Sequence, residues 1–176
     1  MRILDKTFAL SLSAEQIAER VTAAAARISE ELRHRDPIFV SVLNGAFMFA
    51  SDLIRQLDFP AKVSFVKLSS YEGVSTTGSV HELIGLSESI EGRLVVVVED
   101  IVDTGYTMQH LLQALEKHRP QEIRIASLFV KPENLKVDLT IDYPLFQIPN
   151  DFIVGYGLDY DGYGRNLPAI YTLAES

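Results

Sequence analysis

The sequence predicts an α/β fold with a mainly parallel central sheet flanked by helices, and three observations carry that reading. Short runs rich in branched apolar residues alternate with segments whose apolar residues recur at helical spacing. The run LVVVV at 94–98 is apolar without alternation, the pattern of a parallel strand covered on both faces. Such runs end in polar residues or glycine before the next helical stretch begins, as strand-turn-helix units require.

Taken in order, Ser13 and Gln16 make a capping box, after which Ile17, Val21, Ala24, Ala25, Ile28 and Leu32 predict a helix from about 14 to 33. Pro37 opens the strand IFVSVL, which stops at Asn44-Gly45, and Ala50, Leu53, Ile54 and Leu57 mark the helix that follows. From Ala61, AKVSFVKL reads as a partly covered strand alternating Val63, Phe65 and Leu68. The stretch SSYEGVSTTGSVH at 69–81 is rich in Ser, Thr and Gly, so it is expected to be a loop, either a functional lid or a plain insertion. LVVVV supplies the central strand, Met108, Leu111, Leu112 and Leu115 a helix ending near Pro120, and EIRIASLFV a further strand. Residues 131–149 read as irregular, and the short apolar segments FIVGYGL and AIYTL close the chain.

Composition narrows the function. A chain of 176 residues, 47% of them hydrophobic, builds one core without a metal or disulfide staple. Cysteine is absent, which excludes thiolate zinc sites and a catalytic thiol and suits a reducing compartment. The net charge of −8 argues against nonspecific nucleic-acid binding. No leader-like pattern opens the chain and no run approaches the roughly 20 apolar residues of a spanning helix, so a soluble cytoplasmic protein with no membrane contact is expected.

Chemistry concentrates in VVVVEDIVDTGYTM. Glu99 and Asp100 stand at the carboxyl end of the buried strand, where parallel sheets bind ligands. The segment Asp103-Thr104-Gly105-Tyr106-Thr107 leads into a helix, so its amides and hydroxyls suit an anion. Three carboxylates repel a phosphate unless sugar hydroxyls or a hard cation stand between them, and the pattern therefore suits a phosphorylated sugar with a divalent metal. The competing reading makes Asp103 or Thr104 a simple helix cap and Glu99 and Asp100 solvated strand-end residues. Neither G-x-x-x-x-G-K-[ST] nor G-x-G-x-x-G occurs.

VVVVEDIVDTGYT resembles the phosphoribosyl-pyrophosphate signature of the type I phosphoribosyltransferases. Ser70-Tyr71 in the loop, Lys131 after SLFV, and DFIVGYGLDYDGYGRNL from Asp151 extend the likeness along nearly the whole chain, to the hypoxanthine-guanine branch. The resemblance implies a single domain over 1–176, a small hood formed by the chain ends, and 69–81 as a flexible active-site loop carrying Ser70 and Tyr71. It also implies Mg²⁺ as cofactor, phosphoribosyl pyrophosphate and a 6-oxopurine as substrates, and a homodimer or homotetramer. Glu99 and Asp100 would bind the ribose hydroxyls, and Asp103, Thr104, Gly105, Tyr106 and Thr107 the 5-phosphate. Asp103 would be the acid/base group at N7, and Lys131 would donate to the 6-oxo group. Phe152 would stack on the purine, with Ile153 and Leu158 at its edge. Leu43, Asn44, Gly45 and Arg165 would hold pyrophosphate, with a non-trans Leu43-Asn44 peptide, and Asp159, Glu99 and Asp100 would meet the metal.

Two positions depart from the resemblance: Asn44 and Tyr106 stand where many relatives carry lysine. The rival function is a nucleic-acid-binding regulator built on the same fold that senses phosphoribosyl pyrophosphate or nucleotide. The acidic balance and the lack of a Lys/Arg cluster weigh against it.

Overall fold

A computed structural model describes residues 1–71 and 80–174. The chain runs β1 (Arg2–Ile3), β2 (Lys6–Leu12), α1 (Ala14–Leu32), β3 (Ile38–Val42), α2 (Phe47–Ile54), β4 (Lys62–Tyr71) and β5 (Val80–Ile84). It continues through β6 (Leu94–Val102), α3 (Tyr106–Glu116), β7 (Glu122–Val130), a 3-10 turn at Pro132–Asn134, β8 (Tyr143–Gln147), β9 (Ile153–Val154) and β10 (Ile170–Leu173). The main sheet has the order β5-β4-β3-β6-β7-β8, with five parallel strands and β5 antiparallel on β4. Strands from both chain ends form a second, antiparallel sheet in the order β1-β2-β10-β9. This is the expected architecture, hood included.

The valine run explains the layering. Val96 and Val98 join Phe39, Phe49, Leu53 and the buried stripe of α1, whereas Val95 and Val97 join Val40, Val66 and Met108, Leu111 and Leu115 of α3. All four valines are fully buried, so β6 is covered on both faces and lies between β3 and β7. The capping box at the start of α1 is present: the Ser13 N–H donates to Gln16 Oε1 at 2.9 Å and the Gln16 N–H to Ser13 Oγ at 3.3 Å.

Three local expectations need revision. On β4, Ser64 and Val66 face the core, and Phe65 is exposed, so the alternation has the opposite phase from Val63 and Phe65. Residues 69–71 and 80–81 are strand rather than loop, in register Ser69 with Glu82, Ser70 with His81 and Tyr71 with Val80. The remainder of the expected loop, and the side chains of Ser70 and Tyr71, lie outside the described residues. Residues 131–149 are not irregular throughout, because YPLFQ pairs with β7 as an edge strand, where Pro144 can be tolerated. Among the described residues no helix is long and apolar enough to cross a membrane.

A buried phenol helps to tie the hood to the main layer. The Tyr156 hydroxyl donates to Asp52 Oδ2 on α2 at 2.6 Å, and burial, followed by that carboxylate, raises its pKa. Asp52 also pairs with Arg55 at 2.5 Å, so it keeps a partner if the phenol is removed. Tyr156→Phe is therefore expected to cost about 1 kcal/mol of folding stability, measured by urea denaturation.

Candidate active site

The site forms at the carboxyl ends of β3 and β6, where a cavity of about 290 Å³ opens. Leu43 and Gly45 from the turn after β3 line it, together with Glu99 and Asp100 of β6 and Asp103, Thr104, Gly105 and Thr107 of the loop into α3. The peptide between Leu43 and Asn44 is cis. A Cβ on Gly45 would overlap the Asp100 carboxylate, and one on Gly157 would overlap the Gly45 carbonyl oxygen. Three separate segments thus meet on bare glycine backbone, and Gly157, at φ +103°, also occupies a conformation that favours glycine.

The loop from Asp103 to Thr107 has the geometry of an anion cradle. Gly105 caps α3 with φ +87°, and a Cβ there would lie 2.5 Å from Val137 Cγ2 and 2.8 Å from Leu139 Cδ1. The first-turn N–H groups of α3 have no intrahelical acceptor, and Thr104, Gly105, Thr107 and Met108 line the cavity. Tyr106 is 50% exposed and is not among the lining residues. The Tyr106 side chain is therefore not part of the cavity wall.

Glu99 and Asp100 are unevenly placed. Glu99 is only 7% exposed, and its carboxyl is pushed well above the usual range, first by burial and then by the neighbouring Asp100 charge. The Asp100 N–H donates to Glu99 Oε1 at 3.0 Å and the Ile101 N–H to Asp100 Oδ1 at 2.8 Å. Among the described residues no Lys or Arg pairs with either acid. The pair therefore offers hard oxygen acceptors to a diol or a cation.

Beside them, Asp103 is bracketed by donors. Lys131, 7% exposed, reaches Asp103 Oδ2 at 3.2 Å and Asn150 Oδ1 at 3.3 Å, while the Asn134 amide donates to Asp103 Oδ1. The sequence reading picked out Asp103 and Lys131 but missed Asn134 and Asn150. Both lie in stretches without periodicity, and only the pairing of β7 with β6 and β8 brings them to Asp103 and Lys131.

The hood carries the other expected residues. Phe152 is 44% exposed, with its ring 5.8 Å from Tyr160 in an edge-on contact and 6.2 Å from Phe8. Ile153 and Leu158 are buried in the core cluster beside Tyr156. Arg165 pairs with Asp159 at 2.5 Å and donates to the Gly157 carbonyl at 2.7 Å, and Asp159 also accepts from the Gly162 N–H. Among the described residues no three acids or histidines gather tightly enough to hold a metal by themselves, so Asp159, Glu99 and Asp100 do not form one ligand cluster. Asn44 is not among the lining residues of the cavity.

Comparison with known proteins gives this geometry a family. A sequence profile described as "Phosphoribosyl transferase domain" matches residues 12–161. The chain belongs to the phosphoribosyltransferase family. Relatives include a hypoxanthine-guanine-xanthine phosphoribosyltransferase from Tritrichomonas foetus, 39% identical across 92% of this chain and 89% of that protein. A hypoxanthine-guanine phosphoribosyltransferase from Streptococcus thermophilus is 38% identical across 93% of this chain and 91% of its own length. Among solved structures, a hypoxanthine-guanine phosphoribosyltransferase from Bacillus anthracis superposes with a TM-score of 0.85 at 36% identity, covering 97% of this chain and 99% of that one.

For this phosphoribosyltransferase, the raised Glu99 pKa has a definite consequence for stability. A carboxyl whose folded pKa lies above its unfolded value contributes most below the unfolded pKa, and stability falls as pH rises toward the folded value. In chelator and without substrate, Glu99→Gln should raise Tm, by an increment that grows with pH from about 4.3 upward. An increment independent of pH, followed by calorimetry, would contradict this assignment.

Proposed function

We propose that this protein transfers the 5-phosphoribosyl group from phosphoribosyl pyrophosphate to hypoxanthine, and also to guanine, releasing pyrophosphate in purine salvage. The observation that carries the reading is the juxtaposition of the Glu99-Asp100 pair, the Asp103–Thr107 anion cradle and the Asp103-Lys131 pair around one cavity edge. Glu99 and Asp100 accept from the ribose hydroxyls, and the loop amides with Thr104 and Thr107 hold the 5-phosphate. Phe152 offers its exposed ring to the purine, with Ile153 and Leu158 at its edge.

A ring nitrogen of the purine attacks C1 of the ribose as the bond to pyrophosphate breaks, and the N7 proton passes to the Asp103 carboxylate. Lys131 donates to the 6-oxo group, a contact that adenine, with an amino donor at that position, cannot accept. Leu43, Asn44 and Gly45 lie on the turn assigned to pyrophosphate, and Arg165 would exchange its Asp159 contact for a phosphate oxygen. Ser70 and Tyr71 belong to the segment that would shield the reaction from water.

The donor set also fits Mg²⁺. Adjacent carboxylates without a protein cation suit an ion that takes one or two carboxylates and completes its shell with substrate oxygens. Glu99 and Asp100 would hold it with the ribose, and Asp159 would serve near pyrophosphate; when bound, it would offset the charge of the leaving group. The proposal extends to a cytoplasmic homodimer or homotetramer.

The direct test mixes the protein with Mg²⁺, phosphoribosyl pyrophosphate and hypoxanthine, guanine, xanthine or adenine in turn, measuring nucleotide and pyrophosphate. No turnover with any 6-oxopurine would sink the proposal. Asp103→Asn is expected to lower kcat by about 10² to 10⁴ while leaving KM values near wild type. Lys131→Ala should lower kcat/KM for 6-oxopurines by at least about a hundredfold, and unchanged discrimination against adenine would remove it from the purine site.

A further inference from the structure

The proposed proton transfer asks more of Asp103 than proximity, because a carboxylate on a half-exposed loop can rotate about its own bonds. Its two oxygens are held differently. Oδ2 meets the Lys131 ammonium at 3.2 Å, and Oδ1 accepts from the Asn134 side-chain amide. The segment that carries Asn134 is itself tied to the residues on either side of Asp103. The Lys131 N–H donates to the Val102 carbonyl at 3.0 Å and the Lys136 N–H to the Thr104 carbonyl at 2.9 Å, so two main-chain bonds bracket Asp103. Between them, the 3-10 turn Pro132–Asn134 starts with a proline and closes with the Asn134 N–H on the Lys131 carbonyl at 3.1 Å.

We infer that Asn134 is a positioning residue that orients the Asp103 carboxylate for proton transfer at N7. The inference rests on the reading of Asp103 as proton acceptor. When the 6-oxo group draws Lys131 away, Oδ2 is left open toward the purine, and the Asn134 amide still holds Oδ1 so that the carboxylate plane keeps its direction. A neutral donor suits the task. An amide at Oδ1 fixes direction without adding a second charge beside the Lys131 ammonium. Asn150, the other acceptor of Lys131 at 3.3 Å, gives the ammonium a second anchor near the purine site.

The test compares Asn134→Ala, Asn134→Asp and the double variant Asn134→Ala with Asp103→Asn, by steady-state and single-turnover kinetics with hypoxanthine. Asn134→Ala should lower kcat about tenfold or more, with KM for both substrates within about twofold of wild type. Asn134→Asp keeps the side-chain size but sets an acceptor against a carboxylate, and should lose more than the alanine variant. The double variant should be no slower than Asp103→Asn alone, since the effect passes through Asp103. An unchanged kcat in Asn134→Ala, equal rates for the Ala and Asp variants, or additive losses in the double variant would overturn the role of Asn134 while leaving the transferase reading intact. A wild-type protein that turns over no 6-oxopurine would remove the transferase reading and this inference with it.

Discussion

Close packing of carboxylate against bare backbone at the end of β6 is the constraint on which the site depends. Asp100 lies where any side chain on Gly45 would have to be, and Gly45 in turn lies where any side chain on Gly157 would have to be. The turn after β3, the end of the central strand and the hood are thereby set against one another with no side chain as spacer. A protein interior resists small displacements, so this stack fixes the cavity walls more tightly than the loops alone could.

That packing has an electrostatic cost. Burial and the Asp100 charge disfavour ionisation of Glu99, and among the described residues no basic side chain offsets either acid. Under the proposed function, hydroxyl donors of a sugar or a divalent cation would supply the compensation that the fold omits. Lys131 shows the opposite arrangement: its buried charge is matched by Asp103 and Asn150 and waits in a paired state. Under the proposed function, a 6-oxopurine would exchange partners for an existing buried cation rather than require a new one to be desolvated.

The hood works by tethering rather than by size. β9 and β10 return the chain end to β2, while Tyr156 reaches down to Asp52 and Gly157 rests on Gly45. Phe152 is left with an exposed face at the edge of this assembly, supported by Phe8 and Tyr160. The two departures, Asn44 and Tyr106, both lie outside the cavity wall. Tyr106 is half-exposed at the start of α3, while its neighbours Gly105 and Thr107 line the cavity.

By itself the sequence determined the alternation of strands and helices, the doubly covered valine strand and the polar segment that follows it, because these are set by local periodicity and by residue chemistry within a few positions. The same locality singled out Glu99, Asp100, Asp103, Thr104, Gly105 and Thr107, which the structure gathers around one cavity, and the motif likeness added Lys131, which pairs with Asp103. Tertiary structure alone decided which face of β4 is buried, since Phe65 and Val66 are equally apolar and only the neighbouring layer chooses between them. It also decided that YPLFQ is an edge strand, and that Asn134 and Asn150 reach Asp103 and Lys131. Those contacts join residues far apart in the chain through parallel pairing of β6, β7 and β8, and no local pattern encodes a partner that distant.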